Sequence, residues 1–155
     1  MTNDDGIYSL GIYSLWEVAK EFGEVVIVAP DSQKSAVGHS ITISKPLFIK
    51  NVVRENGFEG FSISGSPADC VKIGIKKIFD VRPDLILSGV NLGSNLGNNI
   101  IYSGTIAGAM EGAMQNIPSI AFSLDASEFE NFKTSKIVVR KIIKLAIENK
   151  IFRKN

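Results

Sequence analysis

The sequence predicts an α/β fold built on a doubly wound, mostly parallel sheet, and three observations predict it. Short β-branched runs such as Val25-Val26-Ile27-Val28 lack polar alternation, as do strands buried on both faces. Segments of helical spacing separate these runs, the signature of βαβ units. Polar loops rich in glycine follow the strands, at the sheet edge where such folds bind ligands.

The elements follow in order. Residues 7–22 place Leu15, Trp16, Val18, Ala19 and Phe22 on one helix face, and Gly23 supplies a stop. Glu24 to Ala29 is a buried strand, and Pro30-Asp31-Ser32 opens a polar loop lasting to about Ser40. Ile41-Thr42-Ile43 and Leu47-Phe48-Ile49 read as one strand interrupted by Pro46. Asn56-Gly57 is a turn signal, and Phe58 to Ile63 alternates as a strand. Ser66-Pro67-Ala68-Asp69 starts a helix with Val71, Ile75 and Ile78 inward. Asp84 to Leu87 is a further buried strand. Thr105 to Asn116 is a helix whose small face (Ala107, Gly108, Ala109, Gly112, Ala113) permits close packing on the sheet. Pro118 to Phe122 is a strand, and Asn131 to Lys150 an amphipathic helix with Ile142, Leu145 and Ala146 inward.

The length of 155 residues suits a single domain over 1–155, large enough for a real core. Hydrophobic residues make up 45% and charged residues 21%, which excludes a disordered chain. A net charge of +1, with no basic patch interleaved with aromatics, argues against a polymeric nucleic acid partner. The single Cys70 excludes an intrachain disulfide and a cysteine-rich zinc site, and fits a reducing cytoplasm. No apolar run approaches the roughly 20 residues that span a bilayer, and the first residues are too polar for a signal peptide.

Four stretches carry candidate chemistry. Asp4-Asp5 reads either as first-turn acids of the helix behind it or as hard oxygen ligands for a divalent cation. Adjacent carboxylates repel, and a cation between them relieves that cost. The second stretch, Ala29 to Ser40, offers hydroxyls and His39, the only histidine, with a structural or an acid–base role open to it. The third, Ser64 to Cys70, reads as a capped helix start with Cys70 as a small buried hydrophobe. The fourth runs from Ser88 through Asn91, Asn95 and Asn99 into Tyr102-Ser103-Gly104-Thr105. Such a Gly/Asn/Ser run is costly to order, which argues for a ligand. It lacks the lysine of a Walker loop and reads as a metal-ligand Asn91 followed by an anion cradle at a helix N-terminus.

With these stretches in this order, the sequence resembles the SurE (survival protein E) family of nucleoside monophosphate phosphatases. Thr2-Asn3-Asp4-Asp5-Gly6-Ile7 resembles the opening motif, and Ala29-Pro30-Asp31 with Ser35 and Gly38-His39-Ser40 the second. Gly65-Ser66-Pro67-Ala68-Asp69-Cys70-Val71 resembles the third, with Ser66 where threonine is common. Ser88-Gly89-Val90-Asn91 through Asn95-Leu96-Gly97 and Tyr102-Ser103-Gly104-Thr105 resembles the most specific. The resemblance implies a Rossmann-like fold and a phosphatase taking nucleoside 5′- or 3′-monophosphates. It implies one magnesium or manganese ion per subunit on Asp4, Asp5, Ser35 and Asn91. Asn95, Ser103, Gly104 and Thr105 would bind the substrate phosphate, and Asp4 or Asp5 would orient the attacking water. It implies a cytoplasmic dimer or tetramer.

Family members start on an apolar strand ahead of Thr-Asn-Asp-Asp-Gly, whereas only Met1 precedes Thr2 here. The last helix runs out into Phe152-Arg153-Lys154-Asn155. The expectation is therefore a SurE-like domain without the usual first strand and C-terminal portion. Two other readings remain at this level: a catalytically weak or inactive nucleotide-binding remnant, and an aspartyl-phosphate phosphatase with Asp4 or Asp5 as nucleophile.

Overall fold

The computed structural model describes residues 1–125 and 132–149. The first helix, α1 (Leu10–Ala19), begins later than its apolar spacing suggests, because Ser9 caps it and its hydroxyl accepts from Ile12 N–H. Residues 4–8 instead form a turn around Gly6 at φ +92°, so Asp4 and Asp5 are not the cap of α1. Beyond Ala19 the chain turns, with Glu21 and Phe22 N–H donating to Val18 and Ala19 carbonyls.

β1 (Ile27–Pro30) is buried throughout. β2 (Ile49–Val53) and β3 (Glu59–Ile63) form a hairpin through Asn56, at φ +59°. Ile41-Thr42-Ile43 is not a strand. The Thr42 amide and hydroxyl both donate to the Asp69 carboxylate, so the polar loop continues to residue 48. α2 (Pro67–Ile73) starts at the expected place, with Ser66 and Asp69 forming a reciprocal capping box. A π-helical turn over Gly74–Ile78 ends it.

β4 (Ile86–Leu92) reaches five residues past Leu87, so Ser88 to Leu92 is strand and not loop. α3 (Gly104–Met114) and β5 (Ser119–Leu124) lie close to their expected positions. In α4 (Phe132–Glu148) the buried face is Val139, Ile143 and Ala146, while Ile142 and Leu145 are exposed. Apolar residues at 137–139 and at 142 and 143 gave two adjacent faces similar weight, and the structure uses the neighbouring one. The expected helix limits Asn131 and Lys150, and the tail Phe152 to Asn155, lie outside the described residues.

β1 pairs parallel with β3, β2 antiparallel with β3, and β4 parallel with β5. Thr2 joins the two groups: its N–H donates to Leu87 O and its carbonyl accepts from Gly89 N–H. On the other side Met1 N donates to Val26 O, and Val28 N–H donates to Met1 O. Residues 1–3 thus hold the central position between β1 and β4 where the sequence offered no strand.

α1 and α4 cover one face, with Leu15, Val18, Leu87, Val90, Phe122, Val139 and Ile143 between them and the sheet. α2 and α3 cover the other, where Val28, Ile63 and Cys70 pack together. Burial pushes the Cys70 thiol well up, so it is an inert core group. The small face of α3 works as its composition implies: a Cβ on Gly108 would lie 2.8 Å from Thr2 Cγ2, and one on Gly112 2.3 Å from Ser119 Oγ. Among the described residues no helix is long and apolar enough to cross a membrane.

Candidate active site

Asp4 and Asp5 follow directly on the central Met1–Asn3 segment, at the carboxyl edge of the sheet. Buried Asn3 fixes their turn by donating from Nδ2 to Gly6 O (3.1 Å) and to the capping Ser9 Oγ (2.8 Å). Ile7 N–H closes the turn on Pro30 O at 2.9 Å.

Asp4 is buried against the start of α3. Thr105 Oγ donates to its Oδ1 at 2.5 Å, and Thr105 N–H to its Oδ2 at 3.1 Å. A carboxylate at a helix N-terminus meets unpaired N–H groups and the positive end of the dipole. Gly104 makes the approach possible, since a Cβ there would sit 2.7 Å from Asp4 Cβ. Ser103 caps the same helix, its Oγ accepting from Ile106 N–H. Thr105 and Ile106 N–H therefore already have partners inside the protein. The helix start read from sequence as an anion cradle holds the Asp4 carboxylate.

Asp5 is half-buried, and the nearby Leu92 N–H favours its charged form, which places it beside Asn91 at the end of β4. Gln33 Nε2 approaches its Oδ1 at 3.4 Å. Burial first, and then the Asp4 charge, push Asp5 up to about 6 against Leu92 N–H and Gln33. Among the described residues neither acid pairs with a lysine, arginine or histidine. The adjacent negative charges are thus left without a cationic side chain among the described residues.

Asn91 is aimed by an irregularity in β4. The β4–β5 register shifts between Ser88 and Asn91, through Gly89 at φ +128°, where a Cβ would lie 2.3 Å from Phe122 O. Asn91 Nδ2 donates to Gly93 O at 2.9 Å, which fixes the amide. Asn95 lies near it: its Nδ2 donates to Ser123 Oγ at 2.7 Å, and Ser123 is the β5 partner of Asn91. No hydrogen bond joins Asn95 to the acids among the described residues. Ser35 is exposed and follows Lys34, whose N–H donates to Asp4 O at 2.7 Å.

The structure therefore gathers Asp4, Asp5, Asn91, Gly104, Thr105 and the backbone beside Ser35 at one edge, with Ser103 and Asn95 flanking them. Sequence reasoning passed over Asn3, Gln33 and Ser123. Only Asn3 left a signal, as a buried-type amide inside the acidic turn. His39 is outside this cluster: its Nε2 lies 3.0 Å from Glu111 Oε2 on α3.

The family model for survival protein SurE matches residues 1–155. A protein named 5′-nucleotidase SurE from Clostridium tetani is 46% identical over 151 residues, covering 96% of this chain and 61% of that protein. Its namesake from Christiangramia forsetii is 46% identical over 152 residues, covering 96% and 58%. The crystal structure of the SurE protein from Aquifex aeolicus superposes with a TM-score of 0.83 at 45% identity, covering 95% of this chain and 58% of that one. The chain spans about three fifths of the length of these relatives.

Proposed function

We propose that this chain, which belongs to the SurE family, carries the site of a metal-dependent phosphatase acting on nucleoside monophosphates. The adjacent acids Asp4 and Asp5, which have no cationic partner among the described residues, with Asp5 pushed up to about 6, are the observation that carries this reading. Relatives named 5′-nucleotidase SurE support the substrate class. Among the described residues no three His, Cys, Asp or Glu side chains cluster as a metal site, so other oxygens must complete a shell begun by two acids. The Ser35 hydroxyl on the loop after β1 and the Asn91 amide oxygen at the end of β4 would supply them. An all-oxygen set of this charge suits one magnesium or manganese ion.

When bound, such an ion polarises a phosphoryl oxygen and lowers the pKa of a water molecule. The residues of the chain do the rest. Thr105 locks the Asp4 carboxylate through two bonds. Asp5, less tightly bonded and with its carboxyl pushed up by burial, is the acid that orients the attacking water. Asn95, the Ser103 hydroxyl and Gly104 N–H border the substrate phosphate, and Thr105 acts on it through Asp4. Attack by water leaves no covalent phosphoenzyme. The protein works in the cytoplasm, and an oligomer accords with the exposed apolar Ile43, Phe48 and Ile101.

Hydrolysis of nucleoside 5′- and 3′-monophosphates by the purified chain, with manganese and then with a chelator, tests this reading. The expected result is turnover that the chelator abolishes and added manganese restores. Turnover indifferent to the chelator, or a trapped phosphoenzyme, would contradict it.

A further inference from the structure

No residue from 31 to 48 is buried, and Leu47 at the far end of the long loop after β1 is the side chain of it that packs against the apolar core. The stretch before Leu47 is held by polar contacts. Along its length, Lys34 N–H donates to Asp4 O, Gly38 N–H to Tyr102 O, and Thr42 to the Asp69 carboxylate. Ser66 Oγ donates to Ser40 O. Between Gly38 and Ser40 lies His39, the one loop side chain that reaches α3. Its Nε2 donates to Glu111 Oε2 at 3.0 Å.

Glu111 is 2% exposed, and its other oxygen accepts from Lys72 Nζ of α2 and from Gln115 Nε2, each at 3.0 Å. Burial opposes its ionisation. The bonds from Gln115, Lys72 and His39 outweigh that and hold its carboxyl below the usual range. A buried carboxylate with three donors is a rigid anchor, because losing any donor leaves it under-satisfied. The same helix holds Asp4 through Thr105, six positions before Glu111. α3 is thus a common mount for one acid and, through His39, for the loop that carries Ser35.

We propose that His39 is a positioning residue, which latches the 31–48 loop onto Glu111 and so sets Ser35 against the Asp4–Asp5 pair. This rests on the metal reading of that pair. His39 does not touch the reacting atoms, and its effect passes through the loop backbone.

Two measurements test it: manganese affinity by calorimetry without substrate, and hydrogen exchange at the Lys34 and Gly38 amides in the metal-free chain. His39→Ala should weaken manganese binding about tenfold, the lower end for loss of a group that orients ligands. It should also speed exchange at both amides, and lower the thermal midpoint because Glu111 Oε2 loses its donor. His39→Gln keeps an N–H donor and should restore both. Lys72→Met removes a partner of Glu111 but leaves the His39 bond in place, and should change both less than His39→Ala does. If His39→Ala binds manganese like the parent, or leaves the two amides equally protected, the latch is refuted while the metal reading stands. If the parent binds no manganese, both fall.

Discussion

At the scale of single residues, Asp5, the proposed metal ligand, costs the metal-free fold stability. Its carboxyl is raised to about 6 from an ordinary value near 3.8. Above pH 6 the folded chain holds it charged at a cost the unfolded chain does not bear, and the cost fades as pH falls from 6 towards 3.8. Asp5→Asn should therefore raise the thermal midpoint of the metal-free protein at pH 7.5, as read by calorimetry, by an amount that shrinks at pH 4.5, while abolishing turnover. Asp4 is held by Thr105. Thr105→Val keeps the side-chain shape but removes a buried bond to a charged group, a loss of about 1.5–3 kcal/mol measurable by urea unfolding. Turnover should drop with it. The acids themselves were legible from sequence, since adjacent carboxylates before Gly6 form an unusual local pattern. The role of Thr105 was not, because its partner lies 101 positions away and the sequence shows only a hydroxyl at a helix start.

At the scale of elements, local chemistry predicted best where it was self-sufficient. The capping box at Ser66 and the Asn56-Gly57 turn form as read, and the small face of α3 packs through Ala107, Gly108, Ala109 and Gly112 while Ala113 is exposed. Gly108→Val should cost about 1–3 kcal/mol by overpacking, because the contact with Thr2 leaves no room for a branched side chain. Chemical denaturation measures this, and an unchanged midpoint would show that α3 stands further from the sheet. The misreadings came from tertiary partners. Ile41-Thr42-Ile43 has strand-forming residues, but Asp69 takes the Thr42 amide that a strand neighbour would need. Ser88 to Leu92 has loop-like composition, yet pairing with β5 and Thr2 holds it as strand.

At the scale of the whole molecule, the sheet brings the site together. Residues 1–3 pair with β1 on one side and β4 on the other, so the acids emerge at the centre of the edge. The alternation of strands and helices made the doubly wound fold legible. The strand order was not, because it depends on pairings such as Thr2 with Ser88 that leave no local trace. The central claim is that these loops build one divalent-ion site around Asp4 and Asp5. The most direct measurement is anomalous diffraction from crystals of the chain soaked in manganese. The account predicts a single strong peak per chain, about 2.0–2.3 Å from oxygens of Asp4 and Asp5, with Ser35 and Asn91 completing the shell. A peak elsewhere, or none at saturating manganese, would contradict it.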